Sequence, residues 1–462
     1  MTRPEIEGSI RTLEQAAAWL ESLINVEKRP ELSYTRFSLA PIEALLETLG
    51  HPERGLSILH VAGSKGKGSV ALFAEAVLRA AGRRTGTFTS PHLERWTERF
   101  RIDGREVEDA ALADAVGRVR PHAEALRAHG AGIGPTFFDA TTAAALLLFR
   151  EAGVDHVVLE VGLGGRLDST NAVEPAVTCI TSIEYEHTDR LGHTLAEIAA
   201  EKAGILKPRI PAVIGELPDE AQRVVETRAA ALDVPLIRLG KELRVERLGG
   251  DLAGSRIRIT EGARAVETQL AVLGAHQAAN AALAAACARR LLAEGLAPEA
   301  IDEVVRVGLA GTLLPGRVEV LSREPWILVD AAHTAVSARA LAEILRSIGR
   351  PVDLVLSISA GKDMESILSA LLPCARSVTL TRAEATRSAA PDAIAAAVRV
   401  RAPELALRVV PNPHLALRAA HEALAPDGLL CATGSVYLAG IARQVLRERI
   451  PAERVAVTRQ PG

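Results

Sequence analysis

Short continuous apolar runs alternate with longer stretches of helical periodicity along most of the chain. SILHVAG (57–63), VDHVVLEVG (154–162), AVTCITSI (176–183) and PAVIG (211–215) are the clearest runs, and continuous rather than alternating apolar character is the pattern of strands covered on both faces. Each precedes a helix-like segment, so a parallel sheet flanked by helices is predicted. From Leu236 to Ala271 the pattern changes: LRVERL and SRIRITEG alternate polar with apolar positions, which predicts an antiparallel appendage before the Ala-rich helix HQAANAALAAACARRLLAEG. GLAGTLLPGRVEV (308–320) groups three glycines with a proline and marks a linker. Beyond it WILVD, VDLVLSIS, RSVTLT, LRVV and LLCATGS predict five further strands with helices between them. Ligands of such sheets sit at the carboxyl ends of the strands, so Asp330 and the Ser357–Ser359 end of the strand expected beside it should face a cleft.

At 462 residues the chain exceeds one ordinary core, and two or three domains are expected. Its composition, 48% hydrophobic and 24% charged, is that of a soluble globular protein. A net charge of -3 argues against broad nucleic-acid binding, which needs uncompensated Lys and Arg. Cys179, Cys287, Cys374 and Cys431 lie far apart without CxxC spacing, so they are expected to pack as reduced apolar residues. The stretch MTRPEIEGSIRTLEQAAAWLESL carries acids throughout, unlike a secretory signal, and no run approaches the ~18 apolar residues that span a bilayer. A cytoplasmic monomer is the default expectation.

The stretch HVAGSKGKGSV (60–70) reads as strand, glycine loop and helix start. Backbone N–H groups at a helix N-terminus bind anions, and glycine permits close approach of phosphate oxygens. The strict GxxxxGK[ST] pattern fails, because Val61 stands five before Gly66; what remains is Gly63-Ser64-Lys65-Gly66-Lys67-Gly68-Ser69, with Lys67 as the charge for the outer phosphates. A solvated glycine-rich turn is the alternative for the loop alone. Ser90 follows a short β-like run, Glu160 ends an apolar strand, and Glu184, Glu186 and His187 follow another. A carboxylate at such a position is costly unless it meets a cation. A hydroxyl, a carboxylate and an imidazole at strand ends form a possible hard-cation shell completed by phosphates and water. Singly, each has a plainer reading: Ser90 as a helix cap, Glu160 paired with an arginine, His187 as an ordinary core or surface histidine.

HVAGSKGKGSV, TSPHL, LEVGLGGRLDSTN, EHTDRLGHT, EKAGILK, GAHQAANA, LPGR, DAAH and ATGSVYLA occur in one order, and in that order the chain resembles the folylpolyglutamate and dihydrofolate synthases of the Mur ligase superfamily, from about residue 34 onward. The resemblance implies an α/β fold of two domains: an N-terminal P-loop ATPase-type parallel-sheet domain over 1–311 and, after a linker at 312–316, a smaller C-terminal Rossmann-like doubly wound domain over 317–462. It implies an ATP phosphate loop at Gly63, Ser64, Lys65, Gly66, Lys67, Gly68 and Ser69. Ser90, Glu160 and His187 match its magnesium ligands, and Lys202 matches a lysine carbamylated to hold a second magnesium; an unmodified Lys202 in a salt bridge is the alternative. Asn280 matches an adenine contact, Arg317 a phosphate contact and Asp330 a nucleotide contact, with His333 close by. A pterin pocket falls on Thr136, Phe137, Phe138 and Asp139 and on Leu167, Asp168 and Ser169. Two of the seven phenylalanines could stack on a flat ring and Asp168 could accept from its amino group, although the same rings could equally be core.

Several positions depart from the family's usual pattern. Leu314 replaces a tryptophan before PGR, Thr334-Ala335 follow His333 where Asn-Pro is common, Thr97-Glu98-Arg99 replace Asn-Glu-Arg, and Asp139 replaces a Glu. These touch pterin and glutamate preference rather than the ATP chemistry. The implied reaction transfers the ATP γ-phosphoryl group to the carboxylate of dihydropteroate or a reduced folate, after which the L-glutamate amine displaces phosphate. Arg317 and Asp330 lie at or beyond the linker, so closure of the domains is expected to complete the site. The glutamate side chain is expected in the second domain near His333 and Ser435. A uridine-nucleotide Mur ligase would need an N-terminal domain for which the loop at residue 63 leaves no room. A silent nucleotide-binding regulator would not need the metal and lysine positions, and an oxidoreductase lacks GxGxxG spacing at GLGG (162–165).

Overall fold

The structure, a computed structural model, describes residues 10–25, 38–129, 134–251 and 254–451; the ends of the two expected domain spans, 1–9 and 452–462, lie outside the described residues. The chain divides into two compact units, the first ending at Thr312 and the second comprising Leu313 onward together with 249–255 and 270–276.

The first unit is built on an eight-stranded sheet: β1 (Ser57–Ala62), β2 (Thr85–Phe88), β3 (Phe100–Ile102), β4 (Arg105–Glu106), β5 (His156–Glu160), β6 (Val177–Ile180), β7 (Ala212–Ile214) and β8 (Leu236–Arg238), in the order β4-β3-β2-β5-β1-β6-β7-β8. All pairs from β2 to β8 are parallel, and β3 and β4 extend one edge antiparallel. The four runs recognised by their apolar continuity are β1, β5, β6 and β7, and every side chain in them except Ser57 is buried. The expected antiparallel appendage starts later than Leu236, because Leu236–Arg238 pairs parallel with β7. Only β9 (Leu243–Asp251), β10 (Gly254–Glu261) and β11 (Arg264–Leu270) form the separate three-stranded sheet. The β10–β11 link consists of Gly262 and Ala263, short enough only for antiparallel strands.

Helix Lys67–Ala80 buries Val70, Ala71, Phe73, Ala74, Val77 and Leu78, the i, i+3, i+4 stripe of one face. Helix Pro298–Ala310 lies against it so closely that a Cβ on Gly308 would come within 2.5 Å of Val77 Cα. On the opposite face the rings of Phe88, Phe100, Phe137 and Phe149 join Trp19 and the Leu146–Leu148 run in one apolar core. A second core on that unit gathers Ala62, Ile180, Ile198, Ile205 and Ile214 beneath helices Leu195–Ala203 and Asp219–Ala231.

The second unit has a six-stranded sheet of β12 (Glu319–Arg323), β13 (Trp326–Val329), β14 (Val352–Leu356), β15 (Ala375–Leu380), β16 (Ala406–Val409) and β17 (Leu429–Thr433), ordered β12-β13-β17-β14-β15-β16. The five strands expected from the sequence are β13 to β17, all parallel, while β12, hidden in the tail of the linker stretch, pairs antiparallel with β13. β17, the last strand among the described residues, inserts between β13 and β14. Asp330 and Ser357 therefore follow strands one apart rather than adjacent ones, a correction that strand patterning alone could not supply. The four cysteines are unpaired, and three of them are buried. Among the described residues no helix is long and apolar enough to cross a membrane.

Candidate active site

The order β2-β5-β1-β6 gathers the loops after four strands at one sheet edge, and β1 lies where the chain turns from one side to the other, the crevice in which open α/β sheets bind ligands. The glycine loop occupies it. Gly63 has φ 148 and Gly66 φ 84, and a Cβ would lie 1.9 Å from Thr181 Oγ1 at the first and 2.4 Å from Asn280 Oδ1 at the second. Both positions thus require glycine for space as well as for conformation. Gly66 starts helix Lys67–Ala80, whose first-turn N–H groups lack intrahelical acceptors and present the positive end of the helix dipole. Lys67 Nζ donates to Gly63 O at 2.9 Å, so the ammonium curls over the loop.

The segment after β6 buttresses the loop. Ser64 N donates to Ser182 O at 2.8 Å, Lys65 N to Ser182 Oγ at 2.9 Å and Thr181 Oγ1 to Lys65 O at 2.5 Å. Ser64 Oγ accepts from Glu184 N at 3.0 Å. Neither Thr181 nor Ser182 is among the expected site residues; the pair of hydroxyls near the end of the run AVTCITSI is the available signal. Asn280, expected as an adenine contact, is buried against Gly66 and donates through Nδ2 to Gln277 Oε1 at 3.0 Å.

Glu186 sits among three cations. Its Oε1 accepts from Lys202 Nζ at 2.8 Å and its Oε2 lies 3.8 Å from Lys65 Nζ. Burial works to raise its pKa, yet the charges of Lys202, Lys67 and Lys65 hold it down at about 2. Lys202, 1% exposed, shares that one carboxylate with two other ammonium groups. Burial accordingly pulls it down to about 8 despite the attraction of Glu186. The helix that carries it, Leu195–Ala203, is started by a Thr194–Glu197 capping box.

Ser90 follows β2, Glu160 ends β5 and His187 lies on the loop after β6. Ser90 N donates to Glu160 Oε2 at 3.0 Å, and Glu160 is 4% exposed. His187 holds a left-handed φ of 45 at the start of the Thr188–Leu191 turn. Among the described residues no three His, Cys, Asp or Glu side chains converge on a point that could hold a metal. The donors present, a hydroxyl, a carboxylate and an imidazole, suit a hard cation that takes its remaining oxygens from phosphates and water.

The expected pterin residues divide into two kinds. Phe138 is half-buried beside Gly162, with its ring centroid 5.8 Å from that of Phe88. Phe137 is 1% exposed and packs against Trp96 and the Arg99 guanidinium, so it is core rather than stacking surface. Thr136 and Asp139 cap helix Phe137–Glu151 reciprocally, and Asp139 also accepts from Ser169 Oγ at 2.6 Å. Asp168 is likewise corrected as a direct acceptor for a ring amine. It accepts from Gly162 N at 3.0 Å, Leu163 N at 2.9 Å, Thr170 N at 3.1 Å and the Thr170 hydroxyl, which occupies the lone pairs of a carboxylate. Its burial pushes it up to about 6. Leu167 packs at the rim of the second core.

In the second unit Asp330 follows β13 and accepts from Val318 N and Ala332 N, each at 2.8 Å. It thereby fixes Val318 at a left-handed φ of 49, unusual for a β-branched residue, next to Arg317. Burial raises Asp330 to about 6. His333 Nδ1 lies 2.9 Å from Ala331 O at the start of helix Ala335–Ile348, and Ser435 caps helix Val436–Arg447.

Residues 61–288 match the Mur ligase middle domain and residues 316–436 the Mur ligase glutamate ligase domain. The chain is 35% identical over 369 residues to a dihydrofolate synthase/folylpolyglutamate synthase of Bacillus subtilis, covering 79% of this chain and 84% of that one. It is also 35% identical over 428 residues to a probable bifunctional folylpolyglutamate synthase/dihydropteroate synthase of Haloferax volcanii, 88% of this chain but 49% of that longer protein. The Mycobacterium tuberculosis folylpolyglutamate synthase solved with ADP and AMPPCP superimposes with a TM-score of 0.83 at 33% identity, covering 90% and 97% of the two chains. A bifunctional folylpolyglutamate synthase/dihydrofolate synthase solved with Mn, AMPPNP and L-glutamate gives 0.80 at 31% identity, covering 96% and 100%. A phosphate-type loop at the switch point of one sheet, a second Rossmann-like unit and these matches together make the chain a member of the folylpolyglutamate synthase/dihydrofolate synthase family of Mur ligases, which are ATP-dependent ligases.

Proposed function

We propose that the chain joins L-glutamate to the carboxylate of dihydropteroate, of tetrahydrofolate or of both, with ATP converted to ADP and phosphate. The observation that carries this reading is the glycine loop with Lys67 folded over it, beside the pair of buried Lys202 with Glu186 and the Ser90–Glu160 contact at the same sheet edge. An acceptor carboxylate oxygen attacks the γ-phosphorus of ATP and ADP leaves. The glutamate amine then attacks the acyl carbon, loses a proton and expels phosphate. Little covalent work falls to the protein, so positioning and charge dominate.

The loop N–H groups and Lys67 hold the phosphates, and Thr181 and Ser182 fix the loop's shape. Two magnesium ions, one held by Ser90, Glu160 and His187 and one by a carbamylated Lys202, would supply charge neutralisation at the phosphates and the acceptor carboxylate. A lysine with a pKa of about 8 offers a substantial neutral fraction for reaction with carbon dioxide at neutral to mildly alkaline pH. Phe138 supplies a ring face for the pterin, with the Gly162–Ser169 loop beside it. Asn280, Arg317 and Asp330 are assigned to the nucleotide, and His333 with Ser435 to the glutamate side. The manganese, nucleotide and glutamate in a relative of 31% identity support the same ligand set.

Oxygen-18 in the acceptor carboxylate tests the route. Acyl phosphate chemistry places one labelled oxygen in the phosphate released for each amide formed; unlabelled phosphate alongside amide product would refute it.

A further inference from the structure

His60 occupies the middle of β1, 0% exposed, and shares a face of the strand with Ile58 and Ala62, which join the apolar cores of that face. An apolar side chain would fit that pattern without desolvating a ring nitrogen. Among the described residues His60 Nδ1 has no hydrogen-bond partner, so the cost of burying the imidazole is offset only at its other nitrogen. Nε2 lies 2.9 Å from Thr170 Oγ1. Thr170 Oγ1 has a single proton and donates it to Asp168 Oδ1, so it accepts from His60, which fixes the Nε2–H tautomer. Burial, with the charge of Lys207 as a smaller influence, holds the imidazole neutral by bringing its pKa down to about 3. Asp168 in turn accepts the backbone N–H groups of Gly162 and Leu163. Beyond Thr170, Asn171 Nδ2 donates to Arg166 O and Gly204 O while the Asn171 backbone carbonyl accepts from Lys207 Nζ, so the loop is anchored at its far end independently of His60.

We propose that His60 is a positioning residue for the acceptor loop: a directed chain from His60 Nε2–H through the Thr170 hydroxyl to Asp168 sets the backbone of Gly162 and Leu163 beside Phe138. The inference rests on the assignment of that loop to the acceptor. It makes His60 act on acceptor binding from the same strand that ends in the nucleotide loop, yet without touching either ligand.

The test uses the full-length chain with His60→Leu, which removes the donor, and His60→Gln, which keeps one within reach. His60→Leu should raise the KM for dihydropteroate or tetrahydrofolate about tenfold, in line with the cost of misplacing a bound group, while the KM for MgATP stays within about twofold. His60→Gln should restore most of the difference. Equal changes in both KM values, or a lower melting temperature with both KM values unchanged, would reduce His60 to a packing residue. If His60→Leu fails to fold, Thr170→Val breaks the same chain between its ends and should give the same split. Amide hydrogen exchange at Gly162 and Leu163 supplies a readout independent of turnover: protection lost there in His60→Leu and kept at Ser64 and Lys65 supports the relay, and unchanged protection overturns it. A wild-type chain silent with both acceptors would count against the proposed reaction, while the exchange result would still decide the role of His60.

Discussion

Lys202 shows how a single residue acquires unusual chemistry from its surroundings. A lysine with one carboxylate partner normally keeps a high pKa, but Glu186 is shared with Lys65 and Lys67, and burial then prevails. Lys202→Ala should abolish ligation and regain part of it when a short carboxylic acid is added to replace the lost carbamate; full activity without any addition would refute the carbamate. Lys67 and Glu160 test the phosphate end of the site. Either one replaced by alanine should lower kcat/KM about a thousandfold, the scale of losing one preorganised electrostatic group, with a circular-dichroism melt like that of the parent chain. Normal turnover in a folded variant would sink the assignment.

At the scale of elements, the loops carry the site and the strands aim it. Gly66→Ala would force a side chain toward Asn280 Oδ1 at 2.4 Å in a left-handed conformation; the expected result is a raised KM for ATP with the acceptor KM little changed, read from steady-state kinetics. The Gly162–Asp168 loop gives a pH signature. Folded Asp168 has a pKa of about 6 against an ordinary 3.8. Between those values the folded chain holds a proton that the unfolded chain releases, so the carboxylate weighs against folding above about pH 6 and the penalty fades as pH falls toward 3.8. Protonation nevertheless removes acceptor capacity from the loop. Acceptor KM should therefore rise as pH drops through about 6 without a matching fall in melting temperature from this group; a flat acceptor KM across that range would contradict the loop's role.

The legibility of these features follows from their physics. The central parallel strands β1, β5, β6, β13, β14 and β17 were readable because burial on both faces demands unbroken apolar runs, and the glycine loop because its backbone excludes every other side chain. Strands β3, β4 and β12 were not read, being short elements at or next to a sheet edge whose burial is incomplete. Phe137 and Phe138 are identical neighbours in sequence, yet consecutive helix positions face different ways, so one ring enters the core and the other remains half-buried. Asp168 was recognised as important, but its partners are backbone N–H groups of its own loop, which a sequence does not display. His60 lies inside HVAGSKGKGSV, but its partner Thr170 stands 110 residues away, a separation that no local sequence pattern spans.

At the scale of the whole molecule, a net charge of -3 coexists with three lysines converging on one half-buried glutamate, which matches a small anionic substrate drawn to a local site rather than a polyanion bound across a surface. Each unit has its own sheet and apolar core; the family match over 61–288 falls mostly on the first and that over 316–436 on the second. The central claim is ligation of glutamate to a pterin-bearing carboxylate, and phosphate release by the purified chain with MgATP and L-glutamate tests it most directly. Dihydropteroate, tetrahydrofolate and no acceptor are compared. Release that depends on an acceptor, accompanied by a product heavier by one glutamyl residue, is the predicted result, and release with both acceptors would establish both activities in one chain. Phosphate released equally without acceptor, or none released with either, would contradict the account.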